Sequence, residues 1–145
     1  EASWTRATYA SPVNDRRQKH LVLILAREVA SNLATPTLIA DAEGRLVYYN
    51  EAADAVIGRT FAEAGEMRLD EWTASFDPRT LDDAKPLPAG RTPGRIALDE
   101  RRPAHERFRI RSRDGVEREV SATALPLFAH ADEFVGIIAF VWREQ

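Results

Sequence analysis

The side chains best suited to proton transfer or metal ligation are three histidines, His20, His105 and His130, which fall on a helix start, a strand start and a turn. The sequence contains no H-E-x-x-H, no G-x-S-x-G, no glycine-rich phosphate loop and no C-x-x-C. The patterns that set up a zinc site, a serine nucleophile, a nucleotide cradle or a redox dithiol are therefore missing. Cysteine does not occur at all, which removes disulfides, thiolate metal sites and cysteine nucleophiles. The histidines read as surface residues, and neither a catalytic residue nor a metal site is expected. An enzymatic alternative, a small α+β protein with a conical pocket, would use His105 or Asp99 for acid–base work, and their spacing lends it no support.

A second candidate chemistry is the alternating run Arg107, Arg109, Arg111 and Arg113, which could track a nucleic-acid backbone. Glu106, Glu117 and Glu119 lie beside it, and no exposed aromatic residues are interleaved to stack bases. With a net charge of −3, the run reads as a neutralised, solvent-facing strand, and no nucleic-acid partner is expected. The apolar run Leu21 to Ala26, like the one at the last strand, is far shorter than the roughly 20 residues needed to span a bilayer. No membrane partner is expected either, and the location is read as cytoplasmic.

The elements that position these residues centre on Leu38 to Phe61. Leu38, Ile39 and Ala40 form an apolar run, and Asp41-Ala42-Glu43-Gly44 supplies a turn in which glycine takes the left-handed conformation. Leu46, Val47, Tyr48 and Tyr49 favour a strand. Asn50 then stands where a helix N-cap belongs, ahead of Ala52, Ala53, Val56 and Ile57 on one helical face, with Gly58 as the C′ residue.

On this stretch the chain resembles the PAS sensor family. The resemblance rests on Asp41-x-x-Gly44, the hydrophobic pair before Asn50-Glu51-Ala52-Ala53, then Gly58 and Phe61. It extends to Arg113-Asp114-Gly115 and a last strand around Gly136, covering about Thr35 to Trp142. Lys85-Pro86-Leu87-Pro88, followed by Pro93 and Ala97-Leu98, looks like a variant of the connecting region of many bacterial PAS domains. The resemblance implies an α+β fold: a five-stranded antiparallel sheet with short helices on one face and an N-terminal helix on the other. It also implies a signalling role without catalysis. Haem-binding members usually supply a histidine from the helix read here as Gly94 to Arg101, which has none. Flavin photochemistry in the light-sensing branch needs a cysteine. The helix around His20 lacks the acid-and-proline pattern of phosphoaccepting kinase helices. The cofactor therefore stays unassigned.

The 145 residues, 44% hydrophobic and 30% charged, suit one globular domain. We divide the chain into a flexible leader over 1–13, an N-terminal helix over 14–34 and the PAS core over 35–145. Asp15-x-x-Gln18 has a capping-box spacing, and Thr35-Pro36 stops the helix. A start at Glu1 instead of Met, and a stop right after an apolar strand, suggest a piece of a longer polypeptide; a processed or trimmed chain would look the same.

That helix carries five consecutive apolar residues, Leu21 to Leu25, more than one core-facing stripe requires. One face is expected to pack on the domain and the opposite face on a second copy, through Leu21, Val22, Leu25 and Val29. The last strand is apolar on both sides: Val135, Ile137, Ala139 and Val141 point one way, and Phe134, Ile138, Phe140 and Trp142 the other. Both of its faces must be covered, and the N-terminal helix is the available cover.

Between these elements, Ala62 to Phe76 is partly helical, with Leu69, Trp72 and Phe76 sharing a face. The proline-interrupted stretch from Asp77 to Gly94 is a long loop of the kind that often carries function. A helix from about Pro93 to Arg101 buries Ile96, Ala97 and Leu98. Phe108 and Ile110 face inward on the next strand, and the hairpin at Asp114-Gly115 is expected to have an odd-length, three-residue loop. That register sets Arg109 or Arg111 opposite Glu119 or Glu117. Val120, Ala122 and Ala124 continue the inner face, Pro126 marks a bulge or bend, and His130-Ala131-Asp132 is the next turn.

Large residues above small Ala122 and Ala124 leave room for a small, mostly apolar ligand, or else for a fully packed core. The expected cavity lining is Phe61, Leu69, Trp72, Phe76, Ile96, Phe108, Ile110 and Phe140. Arg95 or Arg102 would reach an acidic end group of such a ligand. The expectation is a homodimeric sensor that regulates an attached or partner effector. A ligand-free dimerisation module is the alternative.

Overall fold

The computed structural model describes residues 12–57, 61–64, 67–111 and 115–144. Residues 1–11 of the leader expected over 1–13, the helix terminator Gly58 and the turn residue Asp114 lie outside the described residues. Helix α1 (Pro12–Ser31) is followed by β1 (Thr37–Asp41), β2 (Leu46–Tyr49), α2 (Glu51–Ile57), α3 (Phe61–Ala64) and α4 (Leu69–Ala74). After a long loop come α5 (Pro93–Glu100), β3 (Ala104–Arg111), β4 (Glu117–Phe128) and β5 (Phe134–Arg143). The five strands form one antiparallel sheet in the order β2-β1-β5-β4-β3.

The sheet separates two apolar layers. On its inner face, Leu38, Ala40, Phe108, Ile110, Val120, Ala122, Ala124, Ile137 and Ala139 pack against Ala53, Leu69, Trp72, Phe76, Ala97 and Leu98. On the outer face, Ile39 and Ile138 pack against Ala30 of α1, with Leu23, Ala26, Val47, Tyr48, Leu127 and Phe140 around them. The two-sided apolar character of β5 is thus explained by a helix on either side of it. Phe134 departs from the expected alternation and joins the inner layer. Leu127 pairs with Gly136 but Phe128 with Phe134, so Val135 is an extra residue in β5, and such a bulge turns side chains off the regular alternation. Pro126 sits within β4 beyond Ala124, where pairing with β3 has already ended, so its missing N–H is tolerated there.

α1 opens on Pro12, a residue suited to a first helical turn, and closes at Ser31, short of the expected stop at Thr35-Pro36. The cause is local. The Ser31 hydroxyl and the Asn32 amide both donate to the Glu28 carbonyl, at 2.8 and 2.9 Å, and the Asn32 and Leu33 N–H groups bond three residues back. These bonds use up the carbonyls that a further turn would need. The helix ends before proline is reached.

The β3–β4 hairpin has the odd-loop register, with Phe108 opposite Val120, Arg109 opposite Glu119 and Arg111 opposite Glu117. Gly115 takes the left-handed conformation at φ +82°. At the β1–β2 turn the Asp41 carboxylate accepts from the N–H groups of Glu43 and Arg45, at 3.0 and 2.9 Å, and Gly44 is also at φ +82°. The long loop shields the free edge of β3. Arg79 and Arg109 exchange two backbone hydrogen bonds of 2.8 Å, and the Arg111 N–H donates to the Phe76 carbonyl at 2.8 Å. An edge strand closed in this way is a poor template for aggregation.

Candidate functional site

The inner layer is not filled completely. A cavity of about 60 Å³ lies between the sheet and the helices α2, α4 and α5. Its wall is drawn from Pro36, Thr37 and Leu38, from Ala53, from Leu69, Trp72, Thr73, Phe76 and Pro78, and from Thr92, Pro93 and Gly94. The sheet contributes Phe108, Ile110, Ala122, Ala139 and Val141. No ionisable side chain is among them. The space is smaller than the ~150 Å³ apolar cavity that admits benzene. A larger guest would have to move the wall. Small residues create the space: a side chain on Gly94 would come within 2.9 Å of the Leu69 Cδ2 atom.

Of the residues expected to line a cavity, the structure brings together Leu69, Trp72, Phe76, Phe108 and Ile110. Phe61, Ile96 and Phe140 are not part of this wall. Phe61 lies edge-on to Tyr48 and Tyr49, with ring centroids at 5.9 and 5.4 Å. Ile96 is half-buried, because each residue advances about 100° around a helix and α5 turns Pro93, Gly94 and Ala97 inward. Phe140 belongs to the α1 side, since alternation along β5 gives the cavity to its neighbours Ala139 and Val141.

The arginines proposed for an acidic ligand are already engaged. The Arg95 guanidinium holds the Asp70 carboxylate at 2.8 Å and Asp99 at 3.1 Å. Asp70, then Asp99, holds its proton affinity above the ordinary arginine value against partial burial. Arg102 pairs with Glu100 at 2.8 Å. Asp99 is therefore an ion-pair partner in α5. His105 stands on the outer sheet face, with Nδ1 2.8 Å from the Thr123 hydroxyl and its ring 5.9 Å from that of Trp142. Nothing in this arrangement joins Asp99 and His105 in one site. His130 is exposed in a turn. No group of three or more metal-ligating side chains occurs among the described residues.

On the outer face, Arg107 pairs with Glu119, and Arg111 with Glu117 at 3.2 Å. Glu106 faces inward and pairs with Arg91 at 3.1 Å. No helix among the described residues is long and apolar enough to cross a membrane.

α1 lies over the outer face with Leu23, Ala26 and Ala30 toward the sheet. The Arg27 guanidinium stacks over the Tyr48 ring at 4.7 Å. Away from the sheet, Leu21, Ile24, Leu25 and Val29 are each more than half exposed. Val22, read from sequence as an interface residue, is half-buried. It stands in the i, i+4, i+8 row that ends in Ala26 and Ala30. Ile24, which the sequence reading left out, completes the exposed stripe.

One polar side chain joins α1 to the cavity wall. Asn50 is 1% exposed. Its Oδ1 accepts from the N–H groups of Thr37 and Ala53, at 3.0 and 3.1 Å. Its Nδ2 donates to the carbonyls of Ala30 and Thr35, both at 2.9 Å, and more distantly to Leu33 at 3.4 Å. Thr37 and Ala53 line the cavity, whereas Ala30 belongs to the last turn of α1. The cap was legible in the sequence, but the bonds to α1 were not, because nothing local signals a partner 20 residues away.

The comparisons with known proteins agree with this architecture. The PAS domain of BvgS from Bordetella pertussis superposes with a TM-score of 0.60 at 20% identity, over 85% of each chain. A PAS domain from a two-component sensor histidine kinase gives 0.56 at 16% identity, over 88% of this chain and all (100%) of that one. The Vibrio cholerae VqmA dimer gives 0.59 at 19% identity, over 81% of this chain and 49% of that one. No curated protein matches the sequence. The sequence model of the PAS fold matches residues 30–143, and the chain belongs to the PAS family.

Proposed function

We propose that this PAS domain is a cytoplasmic signalling module that pairs with a second copy through α1 and senses a small apolar molecule in its interior. It would act on an attached or partner effector, without catalysis and without contacting nucleic acid itself. The observation that carries this reading is the Asn50 junction. One buried amide holds the cavity wall at Thr37 and Ala53 and the last turn of α1 at Ala30. A wall displaced by a guest would shift bonds made by the same side chain that fixes the helix. A coupled shift in α1 would then bias two arrangements of the dimer.

The exposed stripe Leu21, Ile24, Leu25 and Val29 supports pairing, because contiguous apolar surface of this kind marks an interaction site. A self-complementary patch is the commonest way to cover it. VqmA, similar in fold, is a dimer. The small cavity volume favours a second reading, a constitutive dimerisation module with a closed interior. Native mass spectrometry separates the two. A dimer carrying a mass that denaturation releases supports the sensor, and a dimer that takes up no small apolar molecule on titration supports the closed module. A monomer defeats both.

A further inference from the structure

The indole nitrogen of Trp72 is buried and, among the described residues, has no hydrogen-bond partner. Trp72 lines the cavity, and its ring is braced edge-on by Phe76 at 4.8 Å between centroids. A buried donor without an acceptor is uncommon in native proteins, because desolvation of the N–H goes uncompensated. Indole can only donate, so the missing partner must be an acceptor.

The rest of the wall narrows the chemistry further. Its buried hydroxyls already spend their protons inside the protein, Thr37 Oγ1 donating to the Thr35 carbonyl at 2.7 Å and Thr92 Oγ1 to the Ala89 carbonyl at 2.9 Å. Among the described residues no charged side chain lines the space, and the neighbouring cation on α5, Arg95, is held by Asp70 and Asp99. A carboxylate or phosphate would lose its hydration without gaining a counter-charge.

We infer that the cavity selects a small neutral molecule, apolar except for one acceptor such as a ketone oxygen or a ring nitrogen, which receives the Trp72 indole N–H. This rests on the proposal that the cavity takes a guest at all. The nitrogen is covered in the present packing, so binding turns the indole or parts its cover, and the N–H itself reports the event.

The test compares cyclopentanone, cyclopentane and cyclopentanecarboxylate, three probes that share one ring and differ in acceptor and charge. Each is titrated into the ¹⁵N-labelled full chain while the indole N–H signals are followed. The Trp72 signal is the one missing from Trp72→Phe. Should that variant not fold, it is identified by elimination from Trp4→Phe and Trp142→Phe. The expected result is that cyclopentanone moves the Trp72 signal and binds about tenfold more tightly than cyclopentane, the worth of one hydrogen bond to a buried donor. The carboxylate should not bind, and Trp72→Phe should bring ketone and hydrocarbon to equal affinity. Equal binding of ketone and hydrocarbon to the native chain, with the indole signal unmoved, overturns the acceptor preference and leaves the cavity reading standing. No binding by either overturns both.

Discussion

The side-chain amide of Asn50 donates to the carbonyl of Ala30 across 2.9 Å, which ties the start of α2 to the last turn of α1. The same side chain caps α2 and accepts from the first residue of β1. Removing it would leave several buried backbone groups without partners. Asn50→Ala is expected to lower stability by about 2–4 kcal/mol, measured by urea unfolding. Asn50→Asp keeps the two accepted bonds and loses the donated ones. It should therefore speed amide exchange at the end of α1 more than in α2. Equal effects on both helices would show that the amide does not join them.

Gly136 and Gly115 are both glycines for backbone reasons, and the reasons differ. A Cβ on Gly136 would lie 2.1 Å from the Ala40 carbonyl oxygen, inside the β1–β5 pairing. At Gly115 no described residue stands within 4 Å of an added Cβ, and the left-handed φ of +82° is what is at issue. Gly136→Ala should cost about 3 kcal/mol or more, because the two central strands must separate. Gly115→Ala should cost about 1 kcal/mol. Thermal melts of the two variants rank the effects directly.

Arg95 joins α5 to α4 through Asp70, and both carboxylates it holds are more than half exposed. Solvent screening limits such pairs. Arg95→Met should therefore cost less than about 1 kcal/mol, with the difference fading in high salt. Because Arg95 does not line the cavity, cyclopentanone binding should persist in this variant, as a titration of Arg95→Met would show.

Much of this architecture was legible in the sequence wherever local chemistry decided it. The Asp41–Gly44 turn, the capping Asn50 and the odd-loop register that sets Arg109 opposite Glu119 all follow from residues close together in the chain. What stayed hidden depended on distance or on a break in period. Arg95 looked free because Asp70 lies 25 positions away. Phe134 was misplaced because a bulge at Val135, in its own strand, interrupts the alternation. Phe140 and Ile96 carried the right hydrophobicity for a cavity wall, but the face each presents is set by the strand pleat and the helix turn. The unpartnered indole of Trp72 had no signature at all, since a missing partner becomes visible only when all its neighbours are known.

The central claim is that two copies pair through the exposed stripe of α1. Sedimentation velocity on the native chain and on the Leu25→Glu/Val29→Glu double variant tests it most directly. Both side chains point away from the domain, so the variant should keep its fold, which circular dichroism would verify. The native chain should sediment as a dimer and the variant as a folded monomer. A native monomer, or a variant that remains dimeric, would contradict it.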